Sequence, residues 1–258
     1  MANNGWTKKS KLFNPEATEP FAISRSKIDL FIECPRCHYL DARKGVKRPS
    51  GPAFTLNIAV DELFKKEFDI HRSEKTTHPL MKHYGIDAVP LDDPRMKEWR
   101  VNFTGVRYHD PKTNFMVFGA VDDIWINKKG EAIVVDYKAT SKRGEINMEE
   151  GWGPAYRRQM EVYQWLLRKN GLTVSDIGYF VYANGDKDKK AFDGKLEFNI
   201  QIIPYTGNDS WISEMLIKIK KSLLGELPTA SDNCEFCTYR RNAYAEEYRK
   251  PKQGKLLE

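Results

Sequence analysis

Cysteine is scarce in this chain. There are four in 258 residues, confined to two pairs, Cys34-Pro-Arg-Cys37 and Cys234-Glu-Phe-Cys237. That scarcity argues against a secreted disulfide scaffold and fits a metal site in a reducing, cytoplasmic setting. Long apolar runs are also missing: no window offers the roughly 18 uninterrupted apolar residues of a membrane helix, so no membrane partner is expected. Lys8, Lys9 and Lys11 are followed by no apolar stretch, so no secretory signal is expected. No GxxxxGK[ST] loop is present to support an ATP motor. The five histidines include no HExxH pair, and His71, His78 and His83 read as surface residues. Internal repeats and low-complexity blocks are lacking. Charge of one sign is barely in excess, with 42 Lys+Arg against 36 Asp+Glu, a formal +6. Such a balance tolerates a polyanionic partner without requiring one. What remains, 40% hydrophobic and 30% charged residues, is the composition of an ordinary globular chain.

The length suits one domain with a substantial core, expected over residues 21–245, between a flexible segment at 1–20 and a tail at 246–258. Ser24 to Leu40 has helical spacing broken at Pro35. Leu56, Ala59, Val60, Leu63, Phe64 and Phe68 recur as one helical face. From His71 to Phe103 a charged, Pro-containing stretch reads as loop with short helices. Two segments rich in β-formers, Asn114–Ile126 and Glu131–Thr140, flank Asn127-Lys128-Lys129-Gly130 and predict a hairpin. A helix over Pro154–Arg168, strands over Ile177–Ala183 and Lys195–Pro204, and a helix over Asp209–Leu224 follow. This order predicts an α/β fold, a mixed sheet flanked by helices, with both CxxC pairs outside it. No strand is expected before Cys34, which speaks against a thioredoxin-like redox role.

The hairpin carries the chemistry. In Ile133-Val-Val-Asp136-Tyr-Lys138, strand alternation places Asp136 and Lys138 on one face and Ile133, Val135 and Tyr137 on the other. A three-residue turn, Lys128-Lys129-Gly130 with Gly130 left-handed, sets Asn127 opposite Glu131 and therefore Asp122 opposite Asp136. Cross-strand carboxylates roughly 5 Å apart need a cation between them, or one must stay protonated. Two hard oxygen donors beside an ammonium suit magnesium or manganese and the hydrolysis of a phosphoryl group. The competing reading is a structural ion pair at a sheet edge.

The cysteines invite a second metal. Each CxxC presents two sulfurs on a turn, and two pairs complete one tetrahedral centre, zinc or iron–sulfur, which would clasp the two ends of the domain together.

Asp122, a hairpin and Asp136-Tyr137-Lys138 resemble the PD-(D/E)XK nuclease signature. Gln159-Met-Glu-Val-Tyr163 is similar to the QxxxY helix of its RecB-like branch, which includes CRISPR-associated and AddB-type nucleases. The resemblance implies a restriction-endonuclease-like fold spanning about residues 24–240. It implies Mg2+ or Mn2+ held by Asp61, Asp122 and Asp136 with the carbonyl of Tyr137, and Lys138 positioning the attacking water. Asp61 stands where the family's early-helix pattern has His, within Asn57-Ile-Ala-Val-Asp61-Glu62, and Glu62 is its rival. The family also implies a [4Fe–4S] cluster on Cys34, Cys37, Cys234 and Cys237, with zinc the alternative, since the family's one-plus-three cysteine arrangement is here two-plus-two. Gln159 and Tyr163 would contact substrate or brace the site.

Trp152, Tyr156, Arg157 and Arg158 add aromatic and basic groups suited to a nucleic-acid strand. Arg36, Arg43, Lys44, Lys47 and Arg48 lie beside the first CxxC, and Arg240 and Arg241 follow the second. The expected function is metal-dependent hydrolysis of DNA, single-stranded or at duplex ends, in repair, recombination or defence, with a helicase or other nucleic-acid-processing protein as a possible partner. The alternative is a non-catalytic DNA-binding scaffold that keeps the fold and the cysteine site.

Overall fold

A computed structural model describes residues 12–249. The chain opens with strand β1 (Phe21–Ser24), which runs straight into helix α1 (Arg25–Glu33). Cys34 ends α1 and begins α2 (Pro35–Lys44). Pro35 sits at the start of that helix, where its missing N–H is harmless, and left-handed Gly45 closes it. Then come α3 (Thr55–Glu74), α4 (Pro79–His83), β2 (Ala88–Pro90) and α5 (Met96–Trp99). Four strands follow: β3 (Val106–Asp110), β4 (Phe115–Gly119), β5 (Asp123–Asn127) and β6 (Ala132–Thr140). The remainder is α6 (Gly153–Lys169), β7 (Ile177–Gly185), β8 (Phe198–Thr206), α7 (Ile212–Leu224) and α8 (Glu235–Glu247).

The central sheet is mixed and five-stranded, in the order β2-β5-β6-β7-β8. Only β6 and β7 pair in parallel within it, and α6 supplies the crossover that a parallel pair requires. One face packs on α6, α1 and α7 through Ile124, Val134, Met160, Leu166, Ile28 and Leu216. The other packs on α3 through Trp125, Ile133, Val135 and Tyr137 against Phe64 and Phe68. The expected alternation along β6 is therefore the alternation of two cores.

The turn holds the predicted register. Gly130 is left-handed, its N–H donates to the carbonyl of Asn127 at 3.0 Å, and Asn127 pairs with Glu131. The ladder runs from Ile126 opposite Ala132 to Asp123 opposite Val135, so Asp122 comes opposite Asp136.

Elsewhere the tertiary structure departs from local expectation. The single strand over Asn114–Ile126 is two strands in different sheets. The chain bends at Ala120-Val121-Asp122, leaving β4 between β1 and β3 in a three-stranded sheet. β1 thus precedes Cys34, although α1 separates them, so the CxxC does not sit at a strand end. The region from His71 to Phe103 extends α3 to Glu74 and supplies β2, an edge strand of the main sheet. His78 is buried, stacked on Phe68 with ring centroids 4.4 Å apart and bonded to Glu67 at 2.8 Å. Leu56 and Leu63 of the predicted apolar face are exposed, while Phe64 and Phe68 are buried. Within the segment expected to be loose, Phe13 is buried and its N–H donates to the Ala42 carbonyl at 2.8 Å. Residues 1–11 and 250–258 of the expected loose ends lie outside the described residues.

Candidate active site and cysteine centre

Asp136 is the most constrained group of the site. It has no solvent exposure, and among the described residues neither carboxylate oxygen has a hydrogen-bond partner. The Lys138 ammonium touches it as an ion pair without hydrogen-bond alignment. Burial pushes the Asp136 carboxyl up to about 7; the positive charge of Lys138 opposes the rise and the negative charge of Asp122 adds to it. Burial works against the charge on Lys138, yet Asp136 and Asp122 prevail and hold the ammonium protonated above its ordinary range. The same ammonium lies over the ring of Tyr156, 4.4 Å from its centroid.

Asp122 is fixed by the strand opposite, for its Oδ2 accepts the Tyr137 N–H at 2.9 Å. Asp61 reaches the site from α3, the helix on the other face of the sheet. Asn57, one turn earlier, ties that helix to the end of β6 by donating to the Ala139 carbonyl at 2.9 Å. Burial and then the charge of Asp122 raise the Asp61 carboxyl, and its Oδ1 is buried without a partner. Glu62, the rival, is exposed.

Lys65, one turn after Asp61, lies 2.6 Å from Asp61 Oδ2 and 3.6 Å from Asp122 Oδ1. It bridges the two carboxylates, which do not close with Asp136 into a group as tight as the cysteines. The i,i+4 spacing of Asp61 and Lys65 is visible in the sequence, but its reach to Asp122 is not.

Gln159 and Tyr163 form a pair on the buried face of α6, with Gln159 Nε2 donating to the Tyr163 hydroxyl at 3.0 Å. Tyr163 rests on Gly119, where a Cβ would stand 2.6 Å from its ring. Burial, reinforced by the charges of Asp122 and Asp136, keeps its phenol protonated above the ordinary range. The fit to a divalent cation rests on these observations: Asp122 lies close enough to raise both Asp61 and Asp136, and three buried oxygens of those two carboxylates lack a hydrogen bond, beside a lysine held protonated.

A family model for the PD-(D/E)XK nuclease superfamily matches residues 57–242. The chain belongs to that superfamily. A comparison with curated proteins finds no match. PD-(D/E)XK nucleases generally use divalent metals, and their substrates are nucleic acids. The matched span begins at α3 and takes in Asp61, Asp122, Asp136, Lys138, Gln159 and Tyr163, together with the second CxxC; the first CxxC lies upstream of it.

Around this PD-(D/E)XK site, two expected substrate contacts carry ion pairs within the chain. Arg157 pairs through Nη1 with Glu149 at 2.5 Å and Arg158 through Nε with Asp29 at 2.5 Å. Trp152, at the start of α6, is 70% exposed and open to a stacking partner. Behind the site lies a network that pattern reading missed. Asp123 is fully buried on the α3 side and accepts the Tyr137 hydroxyl at 2.8 Å and Arg100 Nη2 at 3.0 Å, with Arg72 also against it. Arg100 Nε in turn donates to the Asp122 carbonyl at 3.0 Å. Strand alternation could have separated Asp123 from Asp122, but both arginines come from segments 22 to 51 residues away.

The cysteines do meet. Cys34 and Cys234 cap α2 and α8, and Cys37 and Cys237 sit in the first turns of those helices. All four are buried and free of disulfides, with their sulfurs within 4.8 Å of one another. Arg48 Nη2 lies 3.6 Å from Cys234 Sγ, and its guanidinium covers the Phe236 ring at 4.6 Å. Burial opposes ionisation of Cys34, Cys37 and Cys237. Hydrogen bonds from the Ser231 and Cys37 backbone nevertheless bring Cys34 down to about 6, while burial and the neighbouring sulfurs push Cys237 up to about 12. Four thiols this close cannot all ionise without a cation among them, so the set suits a thiolate-bound centre, iron–sulfur or zinc.

Proposed function

We propose that the protein is a divalent-metal-dependent deoxyribonuclease of the RecB-like branch. The observation that carries this is Asp136: a fully buried carboxylate with no hydrogen bond aligned to either oxygen, ion-paired with Lys138 and facing a second carboxylate, Asp122. Two carboxylates facing each other beside a single buried ammonium are costly unless a further cation meets them. Asp61, Asp122 and Asp136 would hold Mg2+ or Mn2+. That ion, when bound, polarises the scissile phosphate and eases deprotonation of a water. Lys138 keeps a positive charge where negative charge develops on the phosphate and offers a donor to orient the attacking water. Lys65, on this reading, moves off the carboxylates when the cation binds. Gln159 and Tyr163 support the RecB-like assignment, as an i,i+4 pair braced against Gly119 beside the acids. Trp152 would stack on a base of the substrate strand. Cytoplasmic repair, recombination or defence, with a helicase supplying the strand, is the setting we propose.

The test is cleavage of labelled single- and double-stranded DNA, with RNA alongside, in Mg2+ and in Mn2+. We expect wild-type protein to cut DNA, and Lys138→Ala and Asp122→Ala to lose at least 100-fold while remaining folded, in line with the roughly 10²–10⁴ supplied by such groups. Wild-type protein that binds DNA tightly and never cuts it would establish the scaffold reading instead.

A further inference from the structure

We infer that Cys34, Cys37, Cys234 and Cys237 hold a single zinc ion, and that the iron–sulfur cluster implied by the family resemblance does not fit them. The argument is one of size. Zinc–sulfur bonds of about 2.3 Å in a tetrahedron place neighbouring sulfurs about 3.8 Å apart. Here Cys37 Sγ lies 3.6 Å from both Cys234 Sγ and Cys237 Sγ, and Cys34 Sγ lies 3.9 Å from Cys237 Sγ. A four-iron cubane inserts its own corners between the thiolates and spreads them to roughly 6 Å. Two-iron clusters keep sulfurs close within each pair but separate the pairs by a similar distance, whereas here the short spacings run across the pairs.

The surroundings resist expansion. Each CxxC is locked by backbone bonds: Cys34 N–H to the Leu30 carbonyl at 2.9 Å, His38 N–H to that of Cys34 at 3.1 Å, and Cys234 N–H and Thr238 N–H to those of Ser231 and Cys234 at 3.0 Å each. Leu30 and Ala230 pack on the sulfurs from outside. Opening the site to cubane size would drive the first turns of α2 and α8 apart by about 2 Å and break the contacts that cross between the halves, Arg36 Nη1 donating to the Pro228 carbonyl at 3.4 Å and Arg48 Nη2 at 3.6 Å from Cys234 Sγ. The two halves are also alike, each with one cysteine at a helix cap and one in the first turn, and such symmetry suits a single tetrahedral ion. Four thiolates around a divalent ion carry a net negative charge, and Arg48 supplies a cation with an N–H directed at Cys234. Closed on all four positions, the ion would staple residues some 200 apart in sequence and take no part in cleavage.

This inference is independent of the nuclease reading, and metal analysis tests it without reference to activity. Full-length protein purified anaerobically, from cells supplied with both iron and zinc, is expected to be colourless, with one zinc per chain and no acid-labile sulfide. Growth with cobalt in place of zinc should give the intense visible bands of a tetrahedral cobalt–thiolate site, and Cys234→Ser should remove them. A brown preparation with about four irons and matching sulfide per chain, or a folded protein retaining neither metal, would overturn the inference even if the protein cuts DNA.

Discussion

Replacing Asp136 by asparagine should stabilise the metal-free protein while ending its activity. The side chain keeps its shape and loses its charge. In the native protein the carboxyl rises from 3.8 to about 7, and it is fully buried, so solvent does not screen the effect. At about 1.4 kcal/mol for each pH unit, ionised Asp136 costs the metal-free fold roughly 4 kcal/mol above pH 7. The sign follows from proton binding. Between pH 4 and 7 the native state holds a proton that the unfolded chain has released. The contribution of Asp136 to wild-type stability is therefore greatest below pH 4, falls as pH rises through that window, and levels off above it. Urea titrations at fixed pH values without added Mg2+ or Mn2+ would measure this. Asp136→Asn should lack the slope and at pH 8 exceed wild type by up to about 4 kcal/mol, less whatever the amide loses beside Lys138. For a chain of this size each kcal/mol moves Tm by about 2–4 °C. Adding Mg2+ should raise the wild-type midpoint and leave that of the variant unmoved, since a ligand stabilises only the state that binds it. A variant no more stable than wild type at pH 8, with the same pH slope, would refute the premise that this carboxylate is held against its own burial cost.

Other perturbations test the supporting structure. Arg100→Ala leaves buried Asp123 short of a cation and frees the Asp122 carbonyl. A loss of about 3 kcal/mol in urea denaturation is expected, together with weaker Mg2+ binding by calorimetry. Gly119→Ala forces a Cβ to 2.6 Å from the Tyr163 ring, so stability should fall by about 1–3 kcal/mol and cleavage should drop with the displaced Gln159–Tyr163 pair. Among the described residues of α8 only Cys237 is buried, so the helix depends on the metal centre. A chelator strong enough to strip that centre should speed tryptic cleavage at Arg240 and Arg241 by tenfold or more, equal to about 1.4 kcal/mol of local stability, and an unchanged rate would show that α8 is held by something else.

What the sequence by itself determined is everything that depends on local period and turn chemistry. A three-residue turn with left-handed Gly130 places Asp122 across from Asp136, and a two-residue strand period keeps Lys138 on their face. The helical period aligns Gln159 with Tyr163, and CxxC spacing pairs the sulfurs. Such features lie within a few residues of their cause. Only the tertiary structure decided which partners arrive from afar. It broke the strand at residues 120–122 and gave β4 to another sheet, because Phe115 and Val117 belong to a core with β1 and α1 rather than with α3. It brought Asp61 over from the helix behind the sheet and placed Lys65 between two acids. Arg157 and Arg158 became ion-pair partners of Glu149 and Asp29, since a half-buried guanidinium beside a carboxylate pairs with it. The clasp follows the same division: sequence supplies two pairs of thiolates, and only packing sets the distance between them, which is what separates one ion from a cluster.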